Sequence, residues 1–508
     1  MYQRRPGCLL SLDSRKTCTA GLLGLLGLFG LLGLLGLLEE CASGPRWSPR
    51  LFGSVPSSVD SGRDRTGSRV TASDWGYLFA ERHPADPAEP VDPLRHLTES
   101  DARPEDGAGN GNRLRLGFGC VWEPIPQQTW SGSAPSLLNE LKPRTNVSDL
   151  GVHFPQPVRL ALKTLHTRYR YGRLTTSWSY SGITQSYTAR SLRRSIRSHE
   201  ASGDLDAVVT VDTIARVPKP LFVYYDSTWD ALITAAASLD QFAKLRLLTA
   251  SEVLRQRDRQ LEIFAEAAGV IAASHWLARS IVKQSGISAA KVHVVPLGGA
   301  MRGATPKTEA AAPGRRADTD ELGRRSGRVG GRRLLFVGRM YEPYDFYRKG
   351  ADLVVEALGI LRREYDPHIT LSMVGVDRWP MPGGPPEGVH LLGILPRDEI
   401  ASMYDTHDLF VMPSRVEPFG IVFTEALSHG LPCVARNAYA MPEIVTPGVS
   451  GALIDKDDGQ ELAEAIVSVL SDEEIYKKCK ARQASIAEYF SWDRVAREVV
   501  QVIERTLH

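Results

Sequence analysis

No Cys-x-x-Cys pair occurs in the 508 residues. Of six cysteines, Cys8, Cys18 and Cys41 fall near the amino terminus, while Cys120, Cys433 and Cys479 stand alone. That spacing supports neither a structural zinc site nor a disulfide framework, and it fits a reducing compartment. An excess of one charge is missing too. Lys and Arg total 61 against 59 Asp and Glu, a net of +2, so composition gives no reason to expect a nucleic-acid partner. The third glycine of the dinucleotide fingerprint is absent from "GFGCVW" (117–122), and no acidic ribose partner follows at the usual spacing. A dinucleotide-dependent oxidoreductase is therefore disfavoured. The triplet "DLD" (204–206) has the letters of a metal-binding DxD but precedes its strand instead of ending it, so no metal site is expected there.

Long apolar runs are scarce, with one exception at "AGLLGLLGLFGLLGLLGLL" (20–38). As a helix it would extend roughly 28 Å, enough to cross a bilayer core. Arg4, Arg5, Arg15 and Lys16 precede it, and Glu39 and Glu40 follow, a bias that favours a cytoplasmic amino terminus for a spanning segment. "CAS" (41–43) offers a small-residue cleavage site. The repeated GLL triplet reads equally as low-complexity sequence or as an extension upstream of the true start. Residues 44–112 are rich in Pro, Arg, Asp, Gly and Ser and read as disordered, so 1–112 is expected to be an extension outside the folded part. Two basic clusters, "HTRYRYGR" (166–173) and "RSLRRSIRSH" (190–199), read as solvated helix faces or as a positive surface for anionic lipid or an anionic acceptor.

From residue 113 onward, apolar runs alternate with helical patterns. Strands are predicted at 113–122, 206–213, 220–226, 269–274 and 291–297, with a loop and a helix from about Pro135 after the first and a long helix over 238–268. The Gly-, Ala- and Arg-rich stretch 301–333 reads as a flexible linker. After it the alternation restarts. Strands are predicted at 334–339, 369–376, 389–395, 409–414 and 432–436, and helices at 350–364, 397–406 and 421–429 and over most of the chain past 458. Alternation of this kind implies parallel sheets wrapped on both faces, here an α/β chain of two Rossmann-like doubly wound domains, 113–300 and 334–489, facing across a cleft. The last helix, 490–508, is expected to cross back to the first domain.

The stretch "PSRVEPFGIVFTEALSHGLP" (413–432) places Glu417 and Glu425 around a helix start with seven residues between them. Pro418 and Gly420 keep Glu417 out of the helix and in the loop after a strand, at the edge where such sheets bind ligands. The first helical amides lack intrahelical partners and, with the helix dipole, form a phosphate seat that Gly420 lets a ligand approach closely. Two carboxylates beside that seat repel phosphate but accept hydrogen bonds from hydroxyls on either side of it. A nucleotide sugar has that layout.

"EPFGIVFTE" (417–425) resembles the E-x7-E motif of retaining glycosyltransferases of the GT-B fold, family 4, the glycosyl transferases group 1. "FVGRM", "YRKGADLVVEAL", "LPRDEIASMYDTHDLFVMPS", "MPEIVTPGVSGALI" and "FSWDRVA" are similar to that family in the same order, so the resemblance covers 334–505, with a looser likeness over 113–300. It implies transfer of a hexose-type sugar from a nucleotide-diphosphate sugar to a glycan, lipid or small-molecule acceptor. Configuration would be retained, with no metal and no cofactor besides the donor. It implies that Glu417 accepts from hydroxyls of the transferred sugar and Glu425 from the ribose. Phe419, Gly420 and Ile421 would offer backbone amides, and Arg339 and Lys349 would neutralise the diphosphate. Leu395 would pack near the base. Glu443 is either a donor or supporting contact or a helix cap. In the first domain, Gly132 of "TWSGSAP" resembles the glycine loop that closes over the diphosphate. Asp226 of "LFVYYDSTWD" stands where many relatives carry a histidine. It would contact a sugar hydroxyl or stabilise a positive transition state, or else cap the following helix at Ser227 and Thr228.

Other readings of the same residues are a non-catalytic nucleotide-sugar or sugar-binding scaffold, and a phosphorylase or sugar-nucleotide epimerase of the same fold. Donor supply argues for a cytoplasmic catalytic unit peripheral to the membrane, with 20–38 leaving a single-span anchor or signal open.

Overall fold

Continuous apolar runs become the central strands of two sheets, as expected where both faces are covered by helices. The computed structural model describes residues 113–170, 173–200, 204–212, 214–235, 248–299, 332–340 and 343–508. All belong to the unit Arg69–His508. The expected extension 1–112, with the apolar segment 20–38, lies outside the described residues, as does the expected linker up to residue 331. Among the described residues no helix is long and apolar enough to cross a membrane.

The first lobe runs β1 (Arg115–Gly119), β2 (Val121–Trp122), α1 (Ser133–Leu141), β3 (Asn146–Asp149), β4 (Val152–His153), α2 (Gln156–Leu165), β5 (Thr167–Arg170) and β6 (Arg173–Thr176). It continues with α3 (Gly182–Glu200), β7 (Ala207–Val211), β8 (Leu221–Tyr225), α4 (Trp229–Ala235), α5 (Ala250–Glu266), β9 (Gly269–Ala272), α6 (His275–Lys283) and β10 (Val292–Val294). Its six-stranded sheet has the order β10-β9-β8-β7-β1-β3, every pairing parallel. From β1 the chain moves first to β3 on one side and then to β7 on the other. The crevice between β1 and β7 is therefore a topological switch point, the usual ligand site of such sheets.

The second lobe runs β11 (Arg333–Val337), α7 (Pro343–Arg348), α8 (Ala351–Glu364), β12 (Thr370–Val374), β13 (Val389–Gly393), α9 (Arg397–Thr406), β14 (Leu409–Met412) and α10 (Ile421–Ser428). It closes with β15 (Cys433–Arg436), α11 (Met441–Ile444), β16 (Gly451–Ile454), α12 (Gly459–Ser471), α13 (Glu473–Tyr489) and α14 (Trp492–Leu507). The parallel order β13-β12-β11-β14-β15-β16 puts its switch point between β11 and β14. The loops carrying Arg339 and Glu417 leave those two strands.

Several boundaries differ from the sequence reading. The first strand breaks at Cys120, where β1 hands over to the short β2. The long helix is described only from Ala250, where Thr249 closes a capping box with Glu252; 236–247 lie outside the described residues. β3 and β16 were not predicted. "NVSD" is a polar, partly exposed edge strand, and "GALI" is too short to show a period. β11 begins at Arg333, inside the expected linker.

The carboxy-terminal helix has the most regular pattern. Val495, Val499 and Ile503 recur every fourth residue and are buried, and the Ser491 hydroxyl accepts from the Arg494 amide at the helix start. This α14 packs on α1 of the first lobe. Arg144 pairs with Asp493, and Arg494 donates to the Pro296 carbonyl at 2.7 Å.

Candidate active site

The glycine loop of the first lobe is held in an uncommon backbone shape. Trp130, Ser131 and Gly132 all have positive φ, at 48°, 56° and 90°. Two of them are not glycine, so neighbouring contacts must stabilise the turn. Those contacts lie in the cleft. The Trp130 ring meets Tyr224 of β8 edge-on at 5.6 Å, and its indole N–H hydrogen-bonds the Asp226 carboxylate. From the opposite lobe, Arg397 at the start of α9 donates to the Ser131 carbonyl at 3.0 Å. A β-carbon at position 132 would run into that guanidinium. Gly132 is thus required both by its φ and by close approach.

Asp226 follows β8, half-buried at the cleft. Burial is the largest influence on its carboxyl, which is pushed up to about 6; the Trp130 hydrogen bond pulls it down and nearby Glu417 pushes it up again. The helix-capping role considered for Asp226 belongs instead to Thr228, whose hydroxyl accepts from the Ala231 amide at 3.1 Å.

Glu417 comes from the loop after β14 and meets Lys349 at 3.0 Å, with their side chains only 16% and 13% exposed. Burial raises the Glu417 carboxyl, but Lys349 and Arg348 outweigh it and leave the group below its ordinary value. Glu417 is therefore a carboxylate, an acceptor of hydrogen bonds, at neutral pH. Glu425 is different. It is 8% exposed, one turn into α10, and accepts from the Tyr404 hydroxyl at 3.1 Å. Burial dominates its pKa and carries it to about 7, although Arg397, Tyr404 and His429 all pull the other way. Arg397 therefore stands between the glycine loop and Glu425.

The start of α10 fits a backbone seat. Gly420 has φ 81°, and a β-carbon there would press within 2.8 Å of Met441 and Phe423. The Phe419 ring is buried at 3% exposure against Phe490, so this residue faces the cleft through its backbone. Ile421 is the first helical residue. Arg339 is exposed just beyond β11, and Leu395 is half-buried beyond β13. Glu443 does not reach this group. Its two carboxylate oxygens accept from the amides of His275 and Trp276 at 2.8 and 2.6 Å, so it caps α6 of the other lobe.

The "DLD" aspartates lie at the opposite end of β7. Asp206 is held by the backbone and side chain of Arg115, and Asp204 pairs with Lys219. Trp130, Arg397 and Tyr404 were not anticipated. The signal for Trp130 was its place two residues before the loop glycine. For Arg397 it was a cation opening a helix two residues after Leu395, behind Pro396.

Residues 320–485 match the family model described as glycosyl transferases group 1. Over these residues, which hold the second sheet and the Glu417–Glu425 loop, the chain is similar to this family. The chain is 32% identical over 183 residues to glycogen synthase of Mycobacterium tuberculosis, covering 34% of this chain and 43% of that protein. It is 26% identical over 257 residues to the D-inositol 3-phosphate glycosyltransferase of Xylanimonas cellulosilytica, covering 47% and 58%. The aligned part thus spans well under two thirds of either relative. Sucrose-phosphate synthase from Thermosynechococcus elongatus has the same fold, with TM-score 0.53 at 16% identity over 77% of this chain and 99% of the other. The chain thus has the GT-B architecture of two Rossmann-like lobes, and its E-x7-E loop lies in the second.

Proposed function

We propose that this chain is a retaining hexosyltransferase that uses a nucleotide-diphosphate sugar. One observation carries the reading. Glu417 of the second lobe, paired with Lys349, and Asp226 of the first lie close enough for one to influence the other, Asp226 directly after β8 and Glu417 in the loop after β14. A sugar between them has acceptors for its hydroxyls, and Lys349 and the first amides of α10 would serve its diphosphate.

The assigned step is same-face displacement. The acceptor oxygen bonds to the anomeric carbon as the bond from that carbon to the phosphate oxygen breaks. The departing diphosphate takes the acceptor's proton. Arg339 and Lys349 stabilise the negative charge that develops on it. Ionised Asp226 and Glu417 stabilise the positive charge on the sugar ring.

The test begins with a thermal-shift screen of UDP-, GDP- and ADP-sugars, because a ligand that binds only the native state raises its apparent stability. Transfer or hydrolysis of the stabilising donor is then assayed. Glu417→Ala and Lys349→Ala should each lose kcat/KM by roughly a hundredfold or more. Wild-type inactivity with every common donor, despite binding, would instead favour a scaffold.

A further inference from the structure

The first lobe contains a cavity of about 340 Å3 lined by none of the donor-side residues described above. Its size lies within the roughly 300–1,000 Å3 typical of small-molecule sites. Tyr225 and Ser227 both line it. They flank Asp226 in the chain, and consecutive α-carbons are about 3.8 Å apart, so the cavity comes within one residue of the carboxylate. Val416, the neighbour of Glu417, packs against the small cluster of Leu232, Leu248 and Val253, as do Tyr180 and Trp229 of the cavity wall. The cavity therefore adjoins the proposed reaction centre from the first lobe.

We infer that this cavity is the acceptor site and that it holds the ring of a neutral saccharide. The inference rests on the transferase reading above and narrows its acceptor.

Phe154, Trp178, Tyr180, Tyr225 and Trp229 line the cavity, and each is half-buried, so part of each ring remains accessible. Edge-to-face pairs fix their directions, Phe154 with Trp178 at 5.3 Å and Tyr180 with Trp229 at 5.7 Å. Such rigid rings suit the C–H faces of a pyranose. Between them stand Ser179, Thr184, Thr188, Ser227 and Gln185. Thr188 donates to the Thr184 carbonyl, Gln185 to Gln256 and Ser227 to Asp226, and the oxygens of Thr188, Ser227 and Gln185 keep lone pairs that can accept from ring hydroxyls. The charged lining consists of Glu123, Arg159, Asp212 and Arg259, which sum to zero. The two arginines are engaged. Arg159 pairs with Glu123 at 3.1 Å and lies over Trp178, while Arg259 bonds the Ile214 carbonyl and is attracted by Asp212. A phosphorylated acceptor would need surplus positive charge, and a lipid chain would need an aliphatic wall. The lining has no surplus positive charge, and its aliphatic residues are Val121, Ile214 and Leu232, fewer than its aromatic ones.

The test uses the full chain with whichever donor stabilises it. Nucleotide release is followed with methyl glucoside, galactoside and mannoside, with glucose 6-phosphate, and with diacylglycerol micelles. A neutral glycoside should stimulate release. Trp178→Ala and Trp229→Ala should each raise its KM roughly tenfold while the donor Kd stays within about twofold, and Trp229→Phe should restore most of the loss. Saturation-transfer NMR on the wild-type protein needs no variant, and the ring protons of the stimulating glycoside should receive saturation from the protein. Stimulation by glucose 6-phosphate or diacylglycerol alone, or an unchanged KM in both tryptophan variants, overturns the saccharide assignment and leaves the transferase reading standing. Failure of every donor to bind wild-type protein overturns the transferase reading itself, and this inference with it.

Discussion

Two acidic side chains in the cleft have pKa values raised mainly by burial, and the sign of each effect is testable. Asp226, near 6, is ionised above that pH and protonated below it. The kcat/KM profile reports groups of the free enzyme, so activity should fall as pH drops through about 6. The Trp130 hydrogen bond lowers the Asp226 value, so Trp130→Phe should move this acid limb to higher pH in a pH–rate profile. Glu425 bears on stability instead. Its carboxyl rises from 4.5 unfolded to about 7 folded. The folded state keeps a proton that the unfolded chain has lost, so this stabilisation is complete below the ordinary carboxyl range and is lost as pH rises through about 7. A glutamine at this position can still accept from Tyr404 and has no proton to lose. The Tm of Glu425→Gln should therefore gain on that of wild type between about pH 5 and pH 8, as read by thermal melts across pH.

The second sheet was almost wholly legible as elements, because its strands are unbroken apolar runs between clear helix patterns. "LFVM" gives β14 and "CVAR" gives β15, and α9 spans Arg397–Thr406 as predicted. The first lobe was less so. Its glycine loop starts as a 3-10 turn at Pro126 and kinks over Thr129–Ser131, a shape that depends on Tyr224 and on Arg397, far away in sequence. The site divided in the same way. Glu417 and Gly420 announced themselves through local spacing and Lys349 through the resemblance of its motif, whereas Trp130 and Arg397 act through contacts that only tertiary structure creates. Local spacing also makes a prediction for α10. Gly420 is left-handed, and a β-carbon added there would lie 2.8 Å from Met441 and Phe423. Gly420→Ala combines backbone strain with a clash and should cost about 1–3 kcal/mol in denaturant melts. Because the seat itself shifts, donor Kd should rise as well, by more than that of Gly359→Ala, a helical control where a β-carbon meets nothing.

The two lobes are joined by contacts that the donor cleft does not supply. Glu443 of α11 binds both His275 and Trp276 amides at the start of α6, and Tyr439 packs edge-on against Trp276 at 5.1 Å. α14 adds a second junction on α1, far along the chain from the first. A carboxylate on a helix start gains from the dipole and satisfies amides with no intrahelical partner. In this case that helix belongs to the other lobe, so the interaction stabilises the closed arrangement of the molecule as well as α6. Removing it with Glu443→Ala leaves two amides without their acceptor and should cost about 1–3 kcal/mol. If the junction holds the lobes together, the loss appears as more than lower stability. The radius of gyration of the unliganded protein should increase in small-angle scattering, and saturating donor should reverse the increase, because ligand bound across the cleft favours the closed form. An unchanged radius with a lower Tm would mean that Glu443 only caps its helix, and that α14 on α1 suffices to hold the lobes.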